Sequence, residues 1–329
     1  MSEQQSNSRL DTIRPALDEL RRAGWEPGLT PESYDRIAQV GFYRKTLPLA
    51  FVATEILATE QPMTLRGLFY RVVSAGWLPS TERRHYDQLG RIMVRLREAG
   101  VVPFAWLVDH VRSTIKPSSW SGLTDFADTV RDAYRMDFWS RLPAYVHVFV
   151  EKDAMAGVLA PVTEEYDVSL SVVRGFVSVS FAYEIGELWS RIEKPIFAYY
   201  LGDHDPSGLD LERDLREKLG RYCLLTEVGT PRFLWKRLAV VPEDFSAFDL
   251  FPLTPKQTDS RTRWFLDQGH EECAELDAIP AGTLRDRLRA AIESHIPRRE
   301  WKRLQQIERL ERQQWHEVLG KLGNGAQPA

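Results

Sequence analysis

The spacing of hydrophobic residues changes part-way along the chain. Up to about residue 120 they recur at helical intervals, and from residue 144 they gather into short apolar runs separated by helical stretches. A polar Ser/Gln/Asn-rich start, 1–9, is expected to be disordered. Residues 10–23 predict a helix, and Pro27, Gly28 and Pro31 mark 24–31 as a linker. Residues 32–60 predict one or two helices, the second over about 49–59. In 62–74 the apolar positions 65, 68, 69, 72 and 73 share one helical face. A turn over 76–84 precedes an amphipathic helix at 86–98, with Leu89, Ile92, Met93 and Leu96 inward and Arg91, Arg95 and Arg97 largely outward. Gly100 stops that helix, 101–108 reads as extended, and 116–122 is a Pro/Ser/Gly loop.

Beyond residue 144 the β-rich run 145–150 has no polar alternation, as in a strand of a parallel sheet buried on both faces. Further strands are predicted at 168–173, 195–201 and 222–228, with helices at 154–165, 181–191 and 209–219. This alternation predicts an open α/β layer with a mostly parallel sheet. Residues 235–251 carry no clear pattern. A polar loop over 253–261 leads into a helix near residue 260. Residues 275–280 form a short strand or turn, and a helix follows over 283–294. A long charged helix at 298–319 could pack on the body or on a second subunit. The expected division is a helical extension (1–45), a helical segment (46–122) and an α/β domain with C-terminal helices (123–329). In the middle segment the order helix, turn, basic helix, short strand is that of a winged helix, which serves DNA binding or protein contacts.

The chemistry gathers at strand ends. The third apolar run closes with Gly202-Asp203-His204-Asp205-Pro206-Ser207-Gly208. Carboxylates at alternate positions can converge, and a hard divalent cation such as Mg2+ relieves their repulsion. A polar loop with solvated aspartates fits the same residues. Glu151 closes the first strand, and sites in such sheets lie beyond the carboxyl ends of the strands. Glu151, Asp203 and Asp205 together make a stronger metal candidate than the aspartate pair alone. Lys152 and His204 adjoin them, as outward side chains or as participants. Tyr70 falls off the centre of its helix's apolar face and lies one turn from Arg66, so it is either a rim tyrosine or a functional phenol within an arginine's reach.

Composition narrows the class. The 329 residues carry a net charge of −4, yet residues 61–120 hold nine Lys/Arg against four Asp/Glu. A basic segment in an acidic protein is either a footprint for a polyanion or a solvated helix face. Cys223 and Cys273 are too few for a disulfide framework or a zinc site and suit a reducing compartment. No run approaches the ~20 apolar residues of a membrane span, and no signal-peptide core is visible. A cytoplasmic location without membrane contact is expected.

Glu151 at one strand end and the 202–208 motif at another resemble the Toprim domain of topoisomerases, DnaG-type primases and some nucleases. Arg66-Gly67-Leu68-Phe69-Tyr70, upstream in a winged-helix-like segment, resembles the catalytic tyrosine motif of the topoisomerase VI A subunit and its relative, the meiotic double-strand-break transesterase. Glu275-Leu276-Asp277-Ala278 is similar to a late acidic segment of those proteins. The resemblance spans about residues 49–292 and looks closer to stand-alone A-subunit-like proteins of bacteria and mobile elements. It implies Mg2+-dependent cleavage of double-stranded DNA through a 5′-phosphotyrosine, with Tyr70 as nucleophile and Arg66 as charge stabiliser. Glu151, Asp203 and Asp205 would be the metal ligands. It also implies a homodimer, with the tyrosine of one protomer facing the metal of the other. Arg83, Arg84, Arg91, Arg95, Arg97 and Arg112 would contact phosphates, with Lys256 and Arg261 as further candidates. The ATPase that topoisomerase VI carries on a separate GHKL-type subunit is absent from this chain and would be a partner. A Toprim nuclease using water, or a non-catalytic DNA-binding scaffold, are the alternatives.

Overall fold

The computed structural model describes residues 3–107, 119–175, 177–223 and 233–324. Five helices come first: α1 (Glu3–Arg22), α2 (Pro31–Gln39), α3 (Leu47–Glu60), α4 (Leu65–Ser74) and α5 (Arg83–Glu98). The start of the chain is therefore helical from Glu3, where disorder was expected; its Glu and Gln residues are adequate helix formers. α3 is apolar all round and is buried from Leu47 to Leu57, so the other N-terminal helices pack about it. The expected extended piece at 101–108 is instead a turn. Pro103 opens a 3-10 turn at Phe104–Trp106, and Leu107 makes an isolated parallel bridge to Met63.

After α6 (Leu123–Ala133), which the sequence pattern did not announce, the chain alternates strand and helix. The order is β1 (Tyr145–Val150), α7 (Asp153–Glu165), β2 (Ser169–Val172), α8 (Val179–Ser190), β3 (Ile196–Leu201), α9 (Pro206–Tyr222) and β4 (Phe233–Ala239). Among the described residues these strands form one parallel sheet, ordered β2-β1-β3-β4. The fourth strand thus lies later than the 222–228 expected. Tyr222 still belongs to α9, which runs on past the predicted end, and 224–228 lie outside the described residues. α10 (Pro242–Ala247), α11 (Thr262–Asp267), α12 (Ala281–Glu293) and α13 (Arg298–Asn324) complete the chain.

Alternation along β3 divides two cores. Ile196, Ala198 and Tyr200 face α8 and α9, with Trp189 and Leu215, whereas Tyr199 and Leu201 join the larger core. That larger core is continuous from Ile13 of α1 to Leu304 of α13, so the helical N-terminal part and one face of the sheet share a single apolar interior. No described helix is long and apolar enough to cross a membrane.

α8 and α9 pack unusually close because Gly186 lies against the last turn of α9. A Cβ at 186 would stand 2.8 Å from the backbone carbon of Tyr222. Gly186→Ala should therefore cost about 1–3 kcal/mol, read as a lower urea midpoint with an unchanged slope.

Candidate active site at the carboxyl edge of the sheet

The chain leaves β1 toward β2 on one side, and β3 lies on the other side of β1. Strand order thus reverses between β1 and β3, where open α/β sheets place ligands. Glu151 follows β1, and Asp203 and Asp205 follow β3, so the three sequence-derived candidates flank this crevice.

Glu151 Oε2 accepts the amide of Asp203 at 2.8 Å, which ties the two strand ends together. Two glycines make room for that carboxylate. A Cβ at 202 would come within 2.7 Å of Glu151 Oε2, and one at 208 within 3.1 Å. Asp205 is the N-cap of α9, its Oδ1 accepting from Gly208 N at 2.7 Å. Asp203 is 8% exposed and turns the other way. Its Oδ1 accepts from Leu276 N at 2.7 Å, and its Oδ2 pairs with Lys152 Nζ at 2.9 Å.

Lys152 organises the crevice. Its ammonium also lies 3.0 Å from Asp277 Oδ2 and 3.2 Å from Glu275 Oε2. Three carboxylates thus surround one half-buried cation; burial opposes its charge, but Asp277, Asp203 and Glu275 outweigh that cost and hold the lysine firmly protonated. The segment bearing Glu275 and Asp277 is held by an antiparallel bridge between His204 and Ala274, with N–H···O distances of 2.9 and 3.0 Å.

The same segment receives α4. Thr64, the N-cap of α4, accepts from Gly67 N at 2.8 Å and donates to Asp277 Oδ1 at 2.5 Å. A Cβ at Gly67 would meet Asp277 O at 3.5 Å, an ordinary contact, so α4 lies directly against the 275–277 segment there. Arg66 pairs with Glu275 Oε2 at 2.6 Å. Tyr70, half-buried one turn on, has its phenol pushed up to about 12, by burial first and then by the Glu275 charge, with Arg66 and Lys152 opposing. The structure therefore brings Tyr70 and Arg66 to the acidic edge of their own chain.

Electrostatics at that edge are unbalanced. Glu151 is raised to about 7, by burial and then by the nearby charge of Asp203. Asp203 is raised to about 6 by burial, against the stabilising charge of Lys152. Hard oxygen donors and excess negative charge suit a Mg2+ ion. Among the described residues, however, no three His, Cys, Asp or Glu groups already stand as a metal cluster. Asp203 is engaged by Lys152, and Asp205 by its helix.

His204 is buried between Phe245, Phe265 and His270, away from the crevice, and burial lowers its pKa to about 4. Arg237, which the sequence reading passed over, braces the loop from below. It donates to the carbonyls of Gly202 and Asp203, pairs with Glu212 at 3.1 Å and stacks over Tyr200.

The basic residues divide. Arg83, Arg84 and Arg91 of α5 are exposed. Arg83 and Arg84 have only local acidic neighbours, Asp87 and Glu82. Arg95 instead donates to the carbonyls of Val40 and Gly41 and stacks on Phe42. Arg97 donates to Phe104 O and stacks on its ring. Arg261 pairs with Asp259 and Asp210, Lys256 is exposed, and Arg112 lies outside the described residues. No protein-family model matches the chain, and no curated protein is significantly similar to it.

Two outcomes are expected in EDTA. Lys152→Met leaves Asp203, Glu275 and Asp277 facing one another and should lower unfolding stability by about 3–5 kcal/mol. Glu151, with its raised pKa, costs stability as pH rises from its unfolded value through 7. Glu151→Gln should therefore stabilise the protein by about 1–3 kcal/mol at pH 8 and hardly at all at pH 5, as read from denaturant midpoints at the two pH values.

Proposed function

We propose that the protein is a Mg2+-dependent DNA-cleaving transesterase of the Toprim type, resembling the A subunit of topoisomerase VI, with α4 and α5 in the place of a winged helix. The observation that carries this reading is the pair of contacts joining the tyrosine-bearing helix α4 to the acidic sheet edge, the Arg66–Glu275 ion pair and the Thr64–Asp277 hydrogen bond.

In this reading Tyr70 Oη attacks a backbone phosphorus. The Oη–P bond forms and the P–O3′ bond breaks, leaving a 5′-phosphotyrosine and a 3′ oxygen that takes up a proton as the phenol loses its own. Glu275, the carboxylate whose charge acts most strongly on Tyr70, would receive the phenolic proton. Arg66 offsets charge on the phenolate and on the phosphoryl oxygens. Glu151, Asp203 and Asp205 would hold Mg2+, which when bound supplies charge neutralisation at the phosphate and the leaving oxygen. The exposed arginines of α5, Arg83, Arg84 and Arg91, would contact phosphates, giving salt-sensitive binding with little sequence preference. A homodimer would set two such sites against the two strands, and a GHKL-type ATPase would be a separate partner.

One observation favours a second reading. A phenol raised to about 12 is a reluctant nucleophile at neutral pH. A Toprim nuclease in which water attacks the phosphate would leave Tyr70 as a packing residue.

Supercoiled plasmid with Mg2+, analysed on SDS gels before and after protease, separates the two. Tyr70→Phe is expected to abolish both cutting and protease-sensitive adducts, and cutting that survives it would establish the nuclease. Arg66→Ala should slow cleavage by about 10²–10³-fold, the scale for losing one charge-stabilising donor. Asp203→Asn should remove cleavage in either case, and full activity in that variant would rule out the metal assignment.

A further inference from the structure

The aspartate loop after β3 is held through its main chain by side chains. The Asp203 amide donates to Glu151 Oε2 at 2.8 Å, and the Asp203 carbonyl accepts from Arg237 Nη2. The same nitrogen donates to Gly202 O at 3.2 Å, and Arg237 Nε donates to Val240 O at 3.0 Å. Nη1 pairs with Glu212 Oε2 at 3.1 Å. The other Glu212 oxygen accepts from Trp235 Nε1 at 2.6 Å, so the carboxylate that aims Arg237 is itself fixed. The paired side chains of Arg237 and Glu212 are only 13% and 11% exposed. In the β3–β4 register Arg237 stands opposite Tyr200, and its guanidinium lies over that ring, 5.3 Å from the centroid. α9 closes on the same carbonyl, for a Cβ at Gly208 would stand 2.5 Å from Asp203 O. One rigid guanidinium fork thus serves four acceptors in different directions, which a lysine ammonium could not do.

We propose that Arg237 is a positioning residue for the metal site, which sets its affinity for a divalent cation by holding the carbonyls of Gly202 and Asp203. The inference rests on the reading of Glu151, Asp203 and Asp205 as Mg2+ ligands. The Asp203 carbonyl belongs to the peptide bond that leads from Asp203 toward Asp205. Rotation of that peptide would change the direction in which both aspartates leave the loop. It would also leave a buried carbonyl without its donor. Groups that hold metal ligands in place typically change metal affinity 10–100-fold when they are removed. An arginine with a purely structural role would change stability and leave that affinity alone.

The test reads metal binding directly and needs no cutting. Mn2+, which suits the same oxygen ligands as Mg2+, is titrated without DNA into wild type, Asp203→Asn, Arg237→Lys, Glu212→Gln and Gly186→Ala. Free Mn2+ is followed by electron paramagnetic resonance, and the melting temperature of each protein is recorded. Binding lost in Asp203→Asn belongs to this site. Gly186→Ala, at the far end of α9, is the control for lost stability alone. Arg237→Lys is expected to weaken the Mn2+ binding by about 10–100-fold. Glu212→Gln, which keeps the arginine but loosens its aim, is expected to weaken it by less, and Gly186→Ala to bind as wild type. In plasmid cleavage the Arg237→Lys rate should return to the wild-type value as Mg2+ is raised, because Arg237 acts through the loop. If Arg237→Lys does not fold, Glu212→Gln alone decides. Both variants binding Mn2+ as wild type, whatever their melting temperatures, would overturn the proposal. So would a cleavage rate that stays low at saturating Mg2+ with an unchanged half-saturation. A wild type without Mn2+ binding at Asp203 would overturn the metal reading, and this inference with it. The expected binding pattern in a protein that cuts no DNA would support the inference and remove only the transesterase.

Discussion

One half-buried ammonium decides how the two halves of the candidate site meet. Lys152 sits among Asp203, Glu275 and Asp277, and Arg66 extends the lattice from α4. Three carboxylates brought together without a cation would repel strongly in a low-dielectric crevice, and each would drive its neighbours toward protonation. With the lysine in place they act as anchors. The sheet edge, the 275–277 segment and the tyrosine helix are thereby locked in one arrangement, with Thr64 adding a hydrogen bond from the same helix. Lys152 also creates a competition. It pairs with the same Asp203 carboxylate that a divalent cation held by Glu151, Asp203 and Asp205 would share.

Backbone geometry supplies the rest. The reversal of strand order between β1 and β3 opens the crevice, and Gly202 and Gly208 let main chain and carboxylates approach where a side chain would collide. Arg237 fastens the aspartate loop from beneath by its carbonyls, and leaves the aspartate side chains to the crevice.

Much of this was legible in the sequence, and the reasons for the remainder are physical. The runs at 145–150 and 195–201 are continuous and apolar because both faces of β1 and β3 are covered, and their strands fall where the pattern put them. β4 went unannounced because it lies at the edge of the described sheet. Leu234 is exposed there and Lys236 and Arg237 interrupt the run, so no apolar block marks the strand. Glu151, Asp203 and Asp205 could be read from strand ends alone. The part played by Lys152 could not, because its partners at 275 and 277 lie more than a hundred residues away, and only their alternate spacing hinted at a shared target. Helical periodicity set Arg95 and Arg97 outward, as it must, but could not foresee that carbonyls of Val40, Gly41 and Phe104 would take their guanidinium groups.

The account makes Tyr70 the atom donor in a covalent bond to DNA, and the most direct measurement is the identity of that bond. Cleavage reactions run with Mg2+ are stopped in SDS, the protein–DNA adduct is digested with protease and nuclease, and the modified peptide is sequenced by mass spectrometry. The account predicts a nucleotide linked through its 5′ phosphate to the peptide containing Tyr70. A linkage to any other residue, or DNA ends carrying free 5′ phosphates with no attached peptide, would contradict it.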